Sequence, residues 1–460
     1  MGIYDLIQSY RGAALNIRHI NLRHDAAALG GKANFRKCIE RIQKDGGNSD
    51  NIFITDAVYN NIVYIEQENG VYIEIFPLSL DMIEFIRFKD RLEWLREEQK
   101  KFIEQENYEM FYANIPKPYY IFDFEYRYKS ISTEHLVNAW TSVYTRLDYG
   151  FSGWKKETLN DVFSVAKSAT KQENDKKVDK PDKMIRIYRG EGSKSTPVQE
   201  SHSWTTDINV ALSFACHGTG TAVWTGTIQE SDIIMQVNER DEAEVIVSAA
   251  DIKDIQQMNM YPADEDTVLN LIRMVYDDYI EYGNIAKKLY NNNENNFHEL
   301  SHTARVLLNS LIIARELDLD DDETIILAVA SVFHDIGREN DCVDENHGLN
   351  SVNIFIEHKN EYSYLSESDI EVIKSLIAFH CIPDKVGEER ILKNDKIMDK
   401  KQAILLYQVF KDADALDRFR LGHYKSEFDF NMLRLEASRK LLLVSAEFVK
   451  RRAESLIENS

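Results

Sequence analysis

Hydrophobic and polar positions change their period several times along the chain, and each change marks an element. Asn61-Ile62-Val63-Tyr64-Ile65-Glu66 and Val71-Tyr72-Ile73-Glu74-Ile75 are β-branched and aromatic runs on either side of Asn69-Gly70, a pattern that predicts a hairpin. A heavily charged helical stretch, 79–105, follows. An aromatic cluster (Tyr119, Tyr120, Phe122, Phe124, Tyr126) leads into helical patterns at 133–147 and 157–167, where Ser132 and Glu134 stand too close together for a capping box. The polar run 171–183 predicts a solvated loop. Strand-like segments at 184–188, 221–228, 232–236 and 244–247 surround one helix, 207–215. From about 261 onward the period is helical, interrupted by a polar connector at 291–296. No internal repeat with a period of about 20–50 residues is present.

The apolar helical stretch 324–333 ends in His334-Asp335, and Gly337 then lets the chain turn away. An imidazole beside a carboxylate at the end of a buried helix is costly without a partner, and a divalent cation suits both ligand types. Taken alone, the pair reads first as a helix end where His334 bonds a carbonyl. Its company changes that reading. His298-Glu299-Leu300-Ser301-His302 opens an amphipathic helix with Val306, Leu307, Ile313, Ala314 and Leu317 on its apolar side. His347 begins a further helical pattern, His380 follows the apolar run 376–379, and Asp412, Asp414 and Asp417 lie together near the end of another.

This ordered set resembles the HD superfamily of metal-dependent phosphohydrolases over about 270–450. The resemblance implies that His302, His334, Asp335 and Asp414 hold a first metal ion, with Asp335 also orienting the attacking water. Ala413-Asp414-x-Leu416 matches the terminal motif, and Asp412, two positions away on the helix, is the lesser choice. His347 and His380 match positions that hold a second ion or contact phosphate; surface or capping roles are their alternatives. Cys381 stands where many binuclear members have a second histidine, so one ion or two stays open. His298 is read as a non-ligand. Manganese, magnesium, iron, nickel and zinc all suit such a donor set.

A second set of residues lies between 184 and 250. Ile185-Arg186-Ile187-Tyr188-Arg189-Gly190 ends a strand in Arg-Gly, Ser203-Trp204-Thr205-Thr206-Asp207 opens a helix with Asp207 as a good N-cap, and Asp241-Glu242-Ala243-Glu244 begins a strand. Residues two apart in a strand share a face, which would turn Glu242 and Glu244 into one cleft. In this order the segments resemble the Arg–Ser–Glu class of mono-ADP-ribosyltransferases over about 180–255. The resemblance implies NAD as co-substrate, with Arg189 clamping its pyrophosphate and Ser203 positioning Glu244. Glu244 would stabilise the oxocarbenium-like transition state, and Glu242 would act as general base toward the acceptor. Gly190 and Tyr188 would line the NAD site, and Tyr188 and His202 are equally structural. The Arg-to-Ser spacing is short, and Ser203-Trp204-Thr205 replaces the usual Ser-Thr-Ser.

Composition narrows the partners. With 55 basic and 77 acidic residues the formal charge is 55 − 77 = −22, which disfavours a broad nucleic-acid surface or an anionic membrane. The 4 cysteines show no CxxC pairing, as in a reducing compartment. No apolar run is long enough to span a bilayer, so the expectation is a cytoplasmic protein, with delivery to a target cell also open. The expected fold is multidomain α+β: an N-terminal α+β domain (1–105), an ADP-ribosyltransferase-like domain (106–258, helical lobe 106–180 and β core 181–258), and an all-α HD domain (270–460). The expected function is bifunctional: transfer of ADP-ribose from NAD to an acceptor (a protein, or else a small molecule or water) and metal-dependent hydrolysis of a phosphorylated or nucleotide substrate. The alternatives are an HD hydrolase whose other domains only sense ligand or bind partners, and a non-enzymatic interaction protein.

Overall fold

A computed structural model describes residues 17–21, 25, 31–55, 62–75, 88–147, 150–151, 153–175, 183–192, 195–216, 220–238, 240–291, 297–338, 346–421 and 428–458. The protein is mixed α+β with a helical C-terminal region. Its contacts divide it into two compact units, residues 1–183 with 229–248, and residues 184–228 with 249–460.

In the first unit, β1 (Ile17–His19), β2 (Ile52–Thr55), β3 (Ile62–Glu66) and β4 (Val71–Ile75) form an antiparallel sheet in sequence order. The expected hairpin is present, with Glu66 opposite Val71 and Ile62 opposite Ile75. Alternation sends its two faces into different cores. Ile62, Tyr64, Val71, Ile73 and Ile75 pack against α1 (Lys32–Lys44) and the start of α2 (Phe88–Glu104). Val63, Ile65 and Tyr72 pack against α3 (Tyr108–Ala113), α4 (Tyr120–Arg127), α5 (Thr133–Tyr144) and α6 (Lys156–Asp175). The sheet is thus buried on both sides, and Asp123 is paired there by Arg127 at 2.5 Å and by the Tyr72 hydroxyl at 2.9 Å.

Residues 79–87 of the charged helical stretch lie outside the described residues, and α2 covers the rest as far as Glu104. Two expectations change here. The aromatic cluster is itself helical, because α4 turns Tyr120 and Phe124 inward and leaves Tyr126 exposed. The polar run that begins at 171 continues α6 as far as Asp175, since its Lys, Gln, Glu and Asp residues are compatible with a helix already nucleated by the preceding apolar turns.

The second unit begins with β5 (Met184–Gly192), β6 (Ser203–Thr205), α7 (Ile208–Cys216) and β7 (Gly220–Gln229). The chain returns to the first unit as β8 (Met235–Val237) and β9 (Glu244–Ile246), paired antiparallel, and β10 (Lys253–Gln257) pairs with β7 in the second. Neither β6 nor β10 is apparent from alternation, because one is only 3 residues long and the other carries mostly exposed polar side chains. Gly190 is required by the approach of α7: a Cβ there would lie 1.9 Å from the Ala211 carbonyl oxygen. Helix α7 buries Ala211, Leu212, Ala215 and Cys216 in the core of the helical region.

That region contains α8 (Glu265–Met274), α9 (Tyr276–Asn291), α10 (Phe297–Glu316), α11 (Asp321–Phe333), α12 (His347–His358), α13 (Glu367–Phe379), α14 (Asp384–Lys393), α15 (Lys400–Leu416), α16 (Glu436–Lys440) and α17 (Leu442–Arg451). Of the polar connector at 291–296, Asn291 ends α9 and the rest lies outside the described residues. Among the described residues no helix is long and apolar enough to cross a membrane. Helix α10 is not one-sided as its pattern implies: residues 302–314 are all buried, as in a central helix packed against α9, α11 and α15. Capping boxes at Asp320/Glu323 and Ser366/Asp369 start α11 and α13. With their starts fixed, both 13-residue helices end at a histidine, His334 and His380.

Gly337 lies in the expected turn and has a second role. A Cβ there would lie 2.4 Å from the backbone nitrogen of Ser351 and 2.6 Å from the carbonyl carbon of Asn350, so glycine lets α12 press against the exit of α11. Gly337→Ala is expected to destabilise the protein by about 1–3 kcal/mol through overpacking against rigid backbone, read as a lower midpoint of thermal or urea unfolding. An unchanged midpoint would contradict that role.

Candidate functional site

The ends of α11, α13 and α15 and an inner turn of α10 bring the sequence-derived ligands together. His302, His334, Asp335, His347 and His380 are all more than nine-tenths buried, and Asp414 retains 28% side-chain exposure. His302 Nε2 lies 3.2 Å from His334 Nε2 and 3.3 Å from Asp414 Oδ1. His347 Nε2 lies 2.8 Å from His380 Nε2. Asp335 stands between the two pairs. Its Oδ1 is 3.2 Å from both His347 and His380, while its Oδ2 is 3.6 Å from His302 and 3.8 Å from His334.

The outer nitrogens determine what the inner ones present. His334 Nδ1 faces the Ser331 carbonyl at 2.8 Å and His380 Nδ1 faces the Ile377 carbonyl at 2.7 Å. A carbonyl only accepts, so both Nδ1 atoms carry protons, and in the neutral rings Nε2 offers a lone pair. His302 Nδ1 lies 2.7 Å from Asp417 Oδ2 in the same way. Asp417 is in turn held by Arg305 Nε at 2.5 Å and Arg420 Nη1 at 3.2 Å. Lone pairs and carboxylate oxygens thus converge with few protons to separate them, which is the donor set a divalent cation fits. His302, His334 and Asp414 form one group able to hold such an ion, and His347, His380 and Cys381 form another.

The electrostatics agree. Burial and Arg420 oppose a charge on His302, but Asp414 and Asp417 outweigh them and raise it to about 9. Burial holds His334 down, to about 4, so its ring is neutral at physiological pH. Burial also works against a charge on Asp335, yet His334, His347 and His380 keep it well below the usual carboxylate range; Asp414 is lowered likewise, chiefly by His302. Arg338 Nη1 lies 3.5 Å from Asp335 Oδ2 and is about a quarter exposed, adding positive charge next to the carboxylate.

Asp412 is elsewhere. It is fully buried and accepts from the backbone N–H groups of Arg434 and Leu435 and from Arg434 Nη1, so it anchors a loop. The side chain of His298 lies outside the described residues. Asp417 and Arg305 carry roles that the sequence reading did not assign. The usable signal was spacing: Asp417 follows Asp414, and Arg305 follows His302, by one helical step on adjoining faces.

The second set of residues divides between the two units. In the second unit, Arg189 donates to the carbonyl oxygens of Ser203 at 2.9 Å and Thr196 at 3.1 Å. Tyr188 stands opposite Thr205 and packs, partly buried, against the helical core. In the first unit, Glu244 is buried, and the Tyr144 hydroxyl, 100 residues away on α5, donates to its Oε1 at 2.5 Å. The expected strand alternation of Glu242 and Glu244 does not occur, because Asp241 and Ala243 have φ of 56° and 46° and the strand starts only at Glu244. The two carboxylates are still coupled. Burial raises Glu242 above the usual carboxylate range, Glu244 adds to the rise, and Arg240 opposes it. Arg240 itself donates to the carbonyl oxygens of Thr145 and Leu147. Comparison with protein-family models, curated proteins and solved structures finds no match to the chain.

Two outcomes follow for the histidine cluster. Below about pH 9 the metal-free protein holds a proton on His302, which a cation must displace. Manganese affinity should therefore weaken as pH falls, by up to about tenfold per unit, with about one proton released per ion. Calorimetric titration in buffers of different ionisation enthalpy measures both. Asp417→Asn, which removes the carboxylate that orients His302, should reduce affinity by about 10- to 100-fold.

Proposed function

We propose that the chain is a two-headed enzyme: a metal-dependent phosphohydrolase at the histidine–aspartate cluster and an NAD-dependent ADP-ribosyltransferase around Glu244. The observation that carries the first part is Asp335, a buried carboxylate with one oxygen toward each of two imidazole pairs. A divalent cation held there supplies Lewis acidity toward a phosphate oxygen and toward the attacking water. His302, His334, Asp335 and Asp414 hold it, and His347 and His380 extend the same cavity wall. Asp414 is the partly exposed member of its group, so the substrate phosphate enters on its side. Arg338 and Arg420, also partly exposed, attract that anion. With a net formal charge of −22 over the whole chain, the protein favours a small phosphorylated or nucleotide substrate over a long polyanion.

The transferase part rests on the coupled pair Glu242 and Glu244. Glu244, fixed by Tyr144, stabilises positive charge developing on the ribose as nicotinamide leaves. Glu242, with its raised proton affinity, takes a proton from the acceptor. The transferred group contains a pyrophosphate, a bond of the kind the metal centre cleaves, so the two activities can act in sequence on one adduct. A second reading is that the metal centre is the only catalytic one and the other regions sense ligand. The engagement of Arg189 with the carbonyl groups of Ser203 and Thr196 favours it.

Incubation with NAD labelled in its adenylate half separates the two. Label is expected in protein, in a small acceptor or in free ADP-ribose, reduced at least about 100-fold by Glu244→Gln; no transfer at all leaves the second reading. Manganese-dependent cleavage of bis(p-nitrophenyl) phosphate is expected from the full chain and should be abolished by chelation and by His334→Ala. Equal cleavage by that variant would overturn the phosphohydrolase assignment.

A further inference from the structure

The second imidazole pair has a neighbour that the first lacks. Cys381 follows His380 directly, and its sulfur lies within 4.8 Å of both imidazole ligand atoms of His347 and His380. It forms no disulfide and is partly exposed. Two features of the backbone bring these groups together. Helix α13 ends at His380, whose Nδ1 is fixed by the Ile377 carbonyl, so Nε2 is directed away from the helix end. Helix α12 begins at His347, and the following Gly348 lets it touch the end of α13: a Cβ there would lie 2.6 Å from the Ile377 carbonyl oxygen and 2.9 Å from that of Ala378. A larger residue at 348 would push His347 away from His380.

The distances make the same point. Asp335 Oδ1 lies 3.2 Å from His380 Nε2, and His347 Nε2 lies 2.8 Å from that nitrogen and 3.2 Å from that oxygen. Three ligand atoms thus crowd together in a site more than nine-tenths buried. A cation satisfies all three at once. Around a tetrahedral ion with bonds of about 2.0 Å to nitrogen and about 2.3 Å to sulfur, neighbouring ligand atoms sit roughly 3.3–3.5 Å apart. The two imidazole nitrogens and the sulfur, which lie within 4.8 Å of one another, reach that spacing by moving on the order of 1 Å.

We propose that His347, His380, Cys381 and the Oδ1 side of Asp335 form a second cation site in which Cys381 is a sulfur ligand. The site takes a thiophilic divalent ion of the zinc class. The first group, with imidazole and carboxylate donors only, has no such preference. The centre then holds two chemically different ions joined through Asp335. This inference deepens the phosphohydrolase reading and rests on it for the first ion.

The test uses the full chain, stripped with a chelator and titrated with cobalt(II). Two equivalents are expected to bind, one of them with a thiolate-to-cobalt charge-transfer band in the near ultraviolet. In Cys381→Ser that band should vanish and one equivalent should weaken by about tenfold or more, the other remaining. Absence of the band in the unaltered chain, or its persistence in Cys381→Ser, overturns the proposal while leaving a one-ion phosphohydrolase intact. Failure of the unaltered chain to bind any cobalt overturns both. A readout that needs no variant is alkylation: zinc should protect Cys381, located by peptide mass, and equal modification with and without zinc refutes sulfur ligation.

Discussion

The helical unit is organised around imidazole rings whose outer nitrogens are already engaged. Ser331, Ile377 and Asp417 hold the Nδ1 atoms of His334, His380 and His302. Their inner nitrogens therefore face one another across gaps too short for water. Bringing acceptors together in a dry interior is unfavourable unless something positive lies among them. The apolar helices supply the rigidity: α10 and α11 are buried nearly all round, so the rings cannot relax by swinging into solvent. The geometry is maintained by packing and is compensated by protons or by cations.

Burial of charge alone would not have singled out this place. Asp123 is as deeply buried as any residue of the cluster, but Arg127 meets it with two nitrogens, Tyr72 adds a hydroxyl, and the whole belongs to the seam between the sheet and α4. Asp412 is likewise buried and likewise met, by Arg434 and two backbone N–H groups. These are carboxylates that hold the fold together. What separates the cluster from them is the excess of acceptors over donors.

Local signals carried much of this. The Asn69-Gly70 hairpin and its register follow from β-branched alternation, and the mixed α+β class and the helical C-terminal region follow from the change of period. His334, His347 and His380 were readable because each ends or begins an apolar helix, and His302 and Asp414 because they lie within a turn or two of one. Other features depend on contacts between distant segments. Gly337 was read as a turn, which it is, but its second role in the approach of α12 was not readable. The coupling of Glu242 to Glu244 was read from strand alternation, yet it survives through two left-handed residues that break the strand. Tyr144 meets Glu244 across 100 residues of chain, and no periodicity signals such a partner. Residues 171–175 show the opposite error, because a polar sequence can also continue a helix.

His334 caps the C-terminal end of α11, His380 that of α13 and Asp417 that of α15, against a single N-terminal end, that of α12 at His347. Each carboxyl end of a helix carries roughly half a negative elementary charge from its aligned peptide dipoles. That potential does not titrate and belongs to the backbone. In a phosphohydrolase of the proposed kind it would favour a cation at the cluster and oppose a phosphate until that cation had bound, so an order of loading, ion first and substrate second, would follow from the direction in which three helices run.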